Sequence, residues 1–215
     1  MTKVSLIEQM AFHRMDEPDV SLESTDREYE IEIYAILRNP EEVIQKATSH
    51  EMQEQWGVFV PKTDKNAGSG TLRVRMTILP DQEPTYVFCT KTEGDEQGRA
   101  EVEDPVQAGQ FQQLRIMADQ GLRKTRYNVP HFLEATATNI VYQVDMFRNK
   151  KGELVPWTKI DAEVAPGTPI VPEDIPFQYD ELIIVTPEKK KMDEELRRKV
   201  GRLYAAYFRS DNELI

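Results

Sequence analysis

Apolar and polar positions alternate in six stretches of this chain. Tyr29, Ile31 and Ile33 alternate with Glu28, Glu30 and Glu32; Leu72, Val74 and Met76 with Arg73 and Arg75. Tyr86, Phe88 and Thr90 alternate with Val87, Cys89 and Lys91, and Thr125 and Tyr127 with Lys124, Arg126 and Asn128. Tyr142, Val144 and Met146 alternate with Gln143, Asp145 and Phe147; Ile160, Ala162 and Val164 with Lys159, Asp161 and Glu163. A period of two places successive side chains on opposite faces of a strand, so each stretch predicts a strand with one apolar and one polar face. Phe177–Thr186 predicts a further, more apolar flanking strand.

Three segments carry the three- and four-residue spacing of a helix. Asn39-Pro40 predicts a helix to about Trp56, along Val43, Ile44, Ala47 and Met52. Asp104-Pro105 predicts a second, through Leu114 and Met117 to Gly121; Thr186-Pro187 predicts a third, along Met192, Leu196, Val200, Leu203 and Tyr207. In each, a capping side chain precedes a proline whose missing N–H costs nothing in the first turn. Pro61–Gly70 and the proline-rich Ala165–Pro176 read as loops. The expectation is one domain over 1–215, with a core at 28–186 and a C-terminal helix at 187–209.

The ionisable positions on the polar faces are sorted by sign. Glu28, Glu30 and Glu32 share one strand, Asp161 and Glu163 another, while Arg73, Arg75, Lys91, Lys124 and Arg126 lie between, with Asp145 late in the chain. Solvated faces are the default for single antiparallel strands, but they ordinarily mix signs, because like charges at i and i+2 gain nothing from each other. An enclosed lining makes better sense of the sorting. Carboxylates suit a hard divalent cation, and Arg and Lys suit the oxygens of a polyphosphate. The expected fold is therefore α+β: a closed antiparallel β-barrel, a tunnel with a polar, charged interior and helices packed outside.

Composition narrows the function classes. With 27 basic against 38 acidic residues and a formal charge of −11, non-specific nucleic-acid binding is not expected. One cysteine, Cys89, allows no internal disulfide and no Cys-based metal site. No apolar run approaches the ~20 residues of a membrane span. A cytoplasmic, membrane-free protein is the expectation. His13, His50 and His131 show no ligand spacing, and Trp56 and Trp157 read as packing residues.

In order along the chain, these motifs resemble the CYTH superfamily of triphosphate tunnel metalloenzymes, which includes class IV adenylyl cyclases, thiamine triphosphatases and tripolyphosphatases. Glu30-Ile31-Glu32-Ile33-Tyr34 resembles the opening E-x-E-x-K strand, and Arg73-Val74-Arg75 the R-x-R strand. Thr90-Lys91 resembles the T-K strand end, and Arg99, Glu101 and Glu103 the acidic, arginine-bearing segment before the central helix. Lys124-Thr125-Arg126, Asp145 before Phe147, and Asp161-Ala162-Glu163 resemble the remaining three. One departure stands out: Tyr34 occupies the place of the family lysine, which bears on hydrolysis more than on binding.

The resemblance implies a divalent-metal-dependent hydrolase of an inorganic or organic triphosphate. Glu30, Glu32, Asp145, Asp161 and Glu163 would ligate Mg²⁺ or Mn²⁺. Arg73, Arg75, Lys91, Lys124 and Arg126 would bind the phosphates, with Glu30, Glu32, Lys91 and Arg126 the catalytic group. The implied partner is a small-molecule triphosphate or nucleotide, or at most an RNA 5′-triphosphate end. A catalytically inactive CYTH-like module that binds nucleotide or polyphosphate, and a class IV-type nucleotidyl cyclase, are the alternatives.

Overall fold

The computed structural model describes residues 29–60, 70–92, 101–118, 120–149, 151–165 and 167–186. In chain order these form β1 (Tyr29–Leu37), α1 (Glu41–Lys46), β2 (Ser49–Val60), β3 (Gly70–Ile78), β4 (Thr85–Thr92) and β5 (Glu101–Pro105). There follow α2 (Ala108–Met117), β6 (Gln120–Leu133), β7 (Thr138–Arg148), β8 (Leu154–Val164), a 3-10 turn at Pro172–Asp174, and β9 (Tyr179–Val185). The expected C-terminal helix at 187–209, the loop from Pro61, Glu28 and Arg99 lie outside the described residues.

All nine strands join one antiparallel sheet in the order β5-β4-β3-β2-β6-β7-β8-β1-β9. The ladder is open: among the described residues no pairing joins β5 to β9. This corrects the expected closed barrel. Closure requires the two end strands to pair at a consistent tilt and stagger. The outer strand β5 has five residues and stops at Asp104-Pro105, and its proline has no N–H to offer a further strand.

Six of the seven expected strands were placed by their alternation and the seventh, β9, by its apolar run. The helices came out shorter. α1 spans Glu41–Lys46 and ends where Ala47 turns extended, so Met52 and Trp56 lie in β2 rather than on a helix. Helix propensities differ by only ~0.7 kcal/mol per residue, and β2 pairs with β3 along one edge and β6 along the other. That double ladder outweighs local preference. α2 begins at Ala108, where Gln107 and Gln110 form a capping box with Gln107 N–H donating to Gln110 Oε1 at 2.8 Å. Asp104-Pro105 closes β5 instead of opening the helix.

The apolar face carries the core. Ile31, Ile33, Tyr142, Val144, Met146, Ile160 and Ala162 pack beneath Val43 of α1 and beneath Ile170, Ile175 and Phe177 of the loop before β9. Burying one such aliphatic side chain contributes about 1.5–3 kcal/mol. Tyr142 donates its hydroxyl to the Asp174 carbonyl at 3.1 Å, which ties that loop down. Farther along the same face, Phe111 of α2 meets Tyr86, ring centroids 5.2 Å apart. Arg115 lies over the Trp56 ring at 4.7 Å and pairs with Glu54 at 3.3 Å. Both described helices thus sit on the face opposite the charged strand positions. No helix among the described residues is long and apolar enough to cross a membrane.

Gly121 in β6 pairs directly with Trp56, and a Cβ there would lie 2.5 Å from the Trp56 ring. Gly121→Ala is expected to lose about 1–3 kcal/mol. Gly109 in α2 has nothing within 4 Å, so Gly109→Ala is expected to gain about 0.5–1 kcal/mol. Urea unfolding of the two variants measures both, and equal effects would contradict the packing described.

Candidate functional site

In antiparallel ladders, directly paired residues project to the same side of the sheet. The observed register therefore decides which charged positions share a face. Glu30 pairs with Glu163, Glu32 with Asp161, and Tyr34 with Lys159. Asp161 pairs with Gln143, and Lys159 with Asp145. Asp145 pairs with Arg126, and Phe147 with Lys124. Lys124 pairs with Gln53 of β2, Gln55 with Arg75, and Arg73 with Cys89. One face of the sheet thus gathers Glu30, Glu32, Asp161, Glu163, Asp145, Lys124, Arg126, Arg73 and Arg75. The Lys91 side chain and that of its pairing partner Glu101 lie outside what the structure describes.

Contacts divide these residues into two groups. The larger spans β1, β8, β7 and β6. Arg126 grips Asp145 with two bonds, Nε to Oδ1 at 2.7 Å and Nη2 to Oδ2 at 2.8 Å. It also reaches Gln143 Oε1 at 2.6 Å and Asp161 Oδ2 at 3.3 Å. Lys124 Nζ pairs with Asp145 Oδ2 at 2.5 Å. Lys159 Nζ lies 2.6 Å from Asp161, 3.3 Å from Glu32 and 3.9 Å from Glu30. Asp161 is the joint, with a cation against each of its two oxygens.

Burial makes these pairs matter. Asp145 is 1% exposed, Asp161 6% and Lys124 8%. Burial alone would raise the Asp145 carboxyl, yet the Arg126 and Lys124 contacts hold it below the usual carboxylate range. Burial pushes the Lys124 ammonium down to about 8, aided by the neighbouring Arg126 charge and opposed by Asp145. With one carboxylate between two cations, and Arg126 holding it by two bonds, Lys124 is the group that yields. Burial pulls at Lys159 too, but Asp161 and Glu32 outweigh it and raise that ammonium above its ordinary value.

Glu30, Glu32 and Asp161 each offer a carboxylate oxygen within 4.8 Å of the others. Such a trio suits a hard, oxygen-seeking cation. Asp145 stands apart from it, held by Arg126 and Lys124, and Glu163 is exposed at the rim beside Glu30. The expected metal set thus comes together as three residues of the five.

The second group lies across β2. Arg75 pairs with Glu103 through two bonds at 2.8 and 2.9 Å. Cys89 donates to the same carboxylate at 2.7 Å; burial raises its thiol, and the Glu103 contact adds to that. Arg73 sits beside Cys89. From β3 to β1 there are five strand steps, roughly 24 Å along a flat sheet. In the open ladder, Arg73 and Arg75 share the face of the acidic trio, five strands along from it.

Lys159 belongs to none of the sequence motifs, although it lies two residues before Asp161 and so on the same face. Gln53, Gln55 and Glu51 were hidden by the helix expected through Trp56. Tyr34, the residue in place of the family lysine, stacks on Trp157 with ring centroids 5.7 Å apart and donates its hydroxyl to Glu32 at 3.3 Å. Burial, with Glu32 beside it, pushes that hydroxyl well above its ordinary value. Trp157, 2% exposed, packs as expected, and with Phe147 and Val155 it forms a small apolar cluster beside the charged residues.

No family model matches the chain, and no curated protein matches it. Among solved structures it is similar to the PH1819 protein from Pyrococcus horikoshii OT3, with a TM-score of 0.41 and 17% identity over 79% of this chain and 89% of that one. It is similar to the hypothetical protein NE1496, with a TM-score of 0.41 and 18% identity over 79% and 97%. It is also similar to HpAC1 from Hippeastrum, a candidate adenylyl cyclase described as having a dominant triphosphatase activity, with a TM-score of 0.40 and 14% identity over 64% and 80%.

Asp145→Asn leaves Arg126 and Lys124 buried without their shared counter-charge and is expected to cost about 3–5 kcal/mol. Lys124 titrates near 8 in the fold against an ordinary 10.5. Between those values the unfolded chain binds more protons, so this residue makes stability rise with pH. Urea unfolding at pH 7.5 and 10 should show that rise shrinking in Lys124→Met; an unchanged pH dependence would dismiss the assignment.

Proposed function

We propose that the charged face binds a triphosphate-bearing small molecule with a divalent cation and hydrolyses its terminal phosphoanhydride bond. The observation that carries this reading is the network in which Asp161, the buried member of the acidic trio, pairs with Arg126, which in turn shares Asp145 with Lys124. Metal-ligating and phosphate-binding chemistries thereby adjoin on one rigid sheet. The ordered motifs that resemble the CYTH superfamily support the same reading.

Glu30, Glu32 and Asp161 are the residues that would hold Mg²⁺ or Mn²⁺; three carboxylates, with no soft donor among them, fit such an ion. The ion when bound supplies charge neutralisation at phosphate oxygens and a more acidic water. Arg126, held by Asp145, Gln143 and Asp161, keeps one N–H for a phosphate oxygen, and Lys124 adds a point charge beside it. Holding both cations in place before substrate arrives spares reorganisation as charge develops in transfer. Arg73 and Arg75 add cations on the same face along β3, toward the far end of a longer ligand, and Lys91 is proposed as a further phosphate contact.

Release of orthophosphate from tripolyphosphate, thiamine triphosphate and nucleoside triphosphates, with Mg²⁺ or Mn²⁺, tests the reading. Activity is expected with at least one of them, and Asp161→Asn should lower kcat/KM about 100-fold or more. Tyr34 in the lysine position favours a second reading, a non-hydrolysing binding module. Calorimetric binding of a metal–triphosphate without product would establish it, and formation of a cyclic nucleotide would assign the chain to the cyclases. Neither binding nor release with any of these ligands would remove the proposal.

A further inference from the structure

The acidic trio already holds a cation of the protein's own. Lys159 on β8 stands directly opposite Tyr34 on β1, and its ammonium lies near all three carboxylates, at 2.6 Å to Asp161, 3.3 Å to Glu32 and 3.9 Å to Glu30. The Tyr34 and Trp157 rings stack at the adjacent positions of the same face. An ammonium in this position offsets the mutual repulsion of the trio. It also lies among the carboxylate oxygens that a divalent cation needs and repels that cation as a like charge.

We infer that Lys159 is the resident counter-ion of the trio, which a divalent cation must displace, so that the cation enters together with the triphosphate rather than ahead of it. The inference rests on the function proposed above. A triphosphate makes the exchange favourable in two ways. Its own negative charges strengthen the hold on the metal, and its oxygens give the displaced ammonium a new partner. A flexible four-carbon stem carrying three rotatable donors permits that move, while Arg126, tied to Asp145 by two bonds, stays in place. Position 34 needs no cation under this arrangement, because β8 delivers one to the same place from the paired strand. Lys159 is a positioning and selectivity residue: it makes the site prefer a metal–triphosphate over bare metal.

The test is Mn²⁺ binding, measured by the electron paramagnetic resonance of free Mn²⁺, with and without tripolyphosphate. Wild type is expected to bind Mn²⁺ alone weakly and far more tightly with tripolyphosphate. Lys159→Met should bind Mn²⁺ alone at least tenfold more tightly than wild type and gain less from tripolyphosphate. Lys159→Arg, which keeps the charge, should stay close to wild type. Unchanged or weaker affinity for Mn²⁺ alone in Lys159→Met, with wild type still taking up Mn²⁺ and tripolyphosphate, overturns the inference and leaves the proposed function standing. No Mn²⁺ uptake by any form, with or without tripolyphosphate, overturns both. Should Lys159→Met fail to fold, wild type decides the matter. Its Lys159 side-chain ammonium resonance should move on saturation with Mg²⁺ and tripolyphosphate, and an unmoved resonance overturns the inference.

Discussion

Buried ions are tolerable only in company. Removing a charge from water costs several kcal/mol even after relaxation, and an ion pair recovers that only with good geometry and further hydrogen bonds. Asp145, the most deeply buried charged residue among those described, meets the condition with two cations, one of them a bidentate arginine. Every neighbouring feature follows from that requirement. Arg126 must reach across β7 to Asp161, Asp161 must take Lys159, and Lys159 must face Glu32 and Glu30. The result is a graded surface, with a net cationic end at β6 and a net acidic end at β1.

The grading places two kinds of chemistry side by side without help from a loop. Sites built on strands inherit the rigidity of the ladder, and here the pairing partners of every charged residue also lie in the sheet. The apolar face supplies the counterweight. Ile33, Val144 and Ile160 are fully buried beneath α1 and the loop before β9, so a strand cannot slip by one residue without exposing its core side chains and burying its charges. Register and ion pairing therefore enforce each other.

Much of this was legible in the chain. Alternation alone assigned Glu30, Glu32, Asp145, Asp161, Lys124, Arg126, Arg73 and Arg75 to polar strand faces, and the ladder puts all of them on one side. The helix expected through Trp56 failed because Asn39-Pro40 is a strong start signal with no comparably strong stop. Only the pairing of β2 with both β3 and β6 shows that its residues belong to the sheet. One lysine on an acidic strand, Lys159, has no meaning until the strand opposite is known to be β1.

By itself the sequence determined which residues point together within each strand, since that follows from backbone geometry over two residues. It also determined that acidic and basic strands are separate segments of the chain. Tertiary structure alone decided which strands are neighbours, that the ladder ends at β5 and β9 instead of closing, and that Arg73 and Arg75 lie five strands along the ladder from the trio. It alone placed the Lys159 ammonium among the carboxylates expected to hold a metal. Those outcomes depend on contacts between residues as much as 153 positions apart, as between Glu32 and Val185, and no local pattern carries information over such a distance.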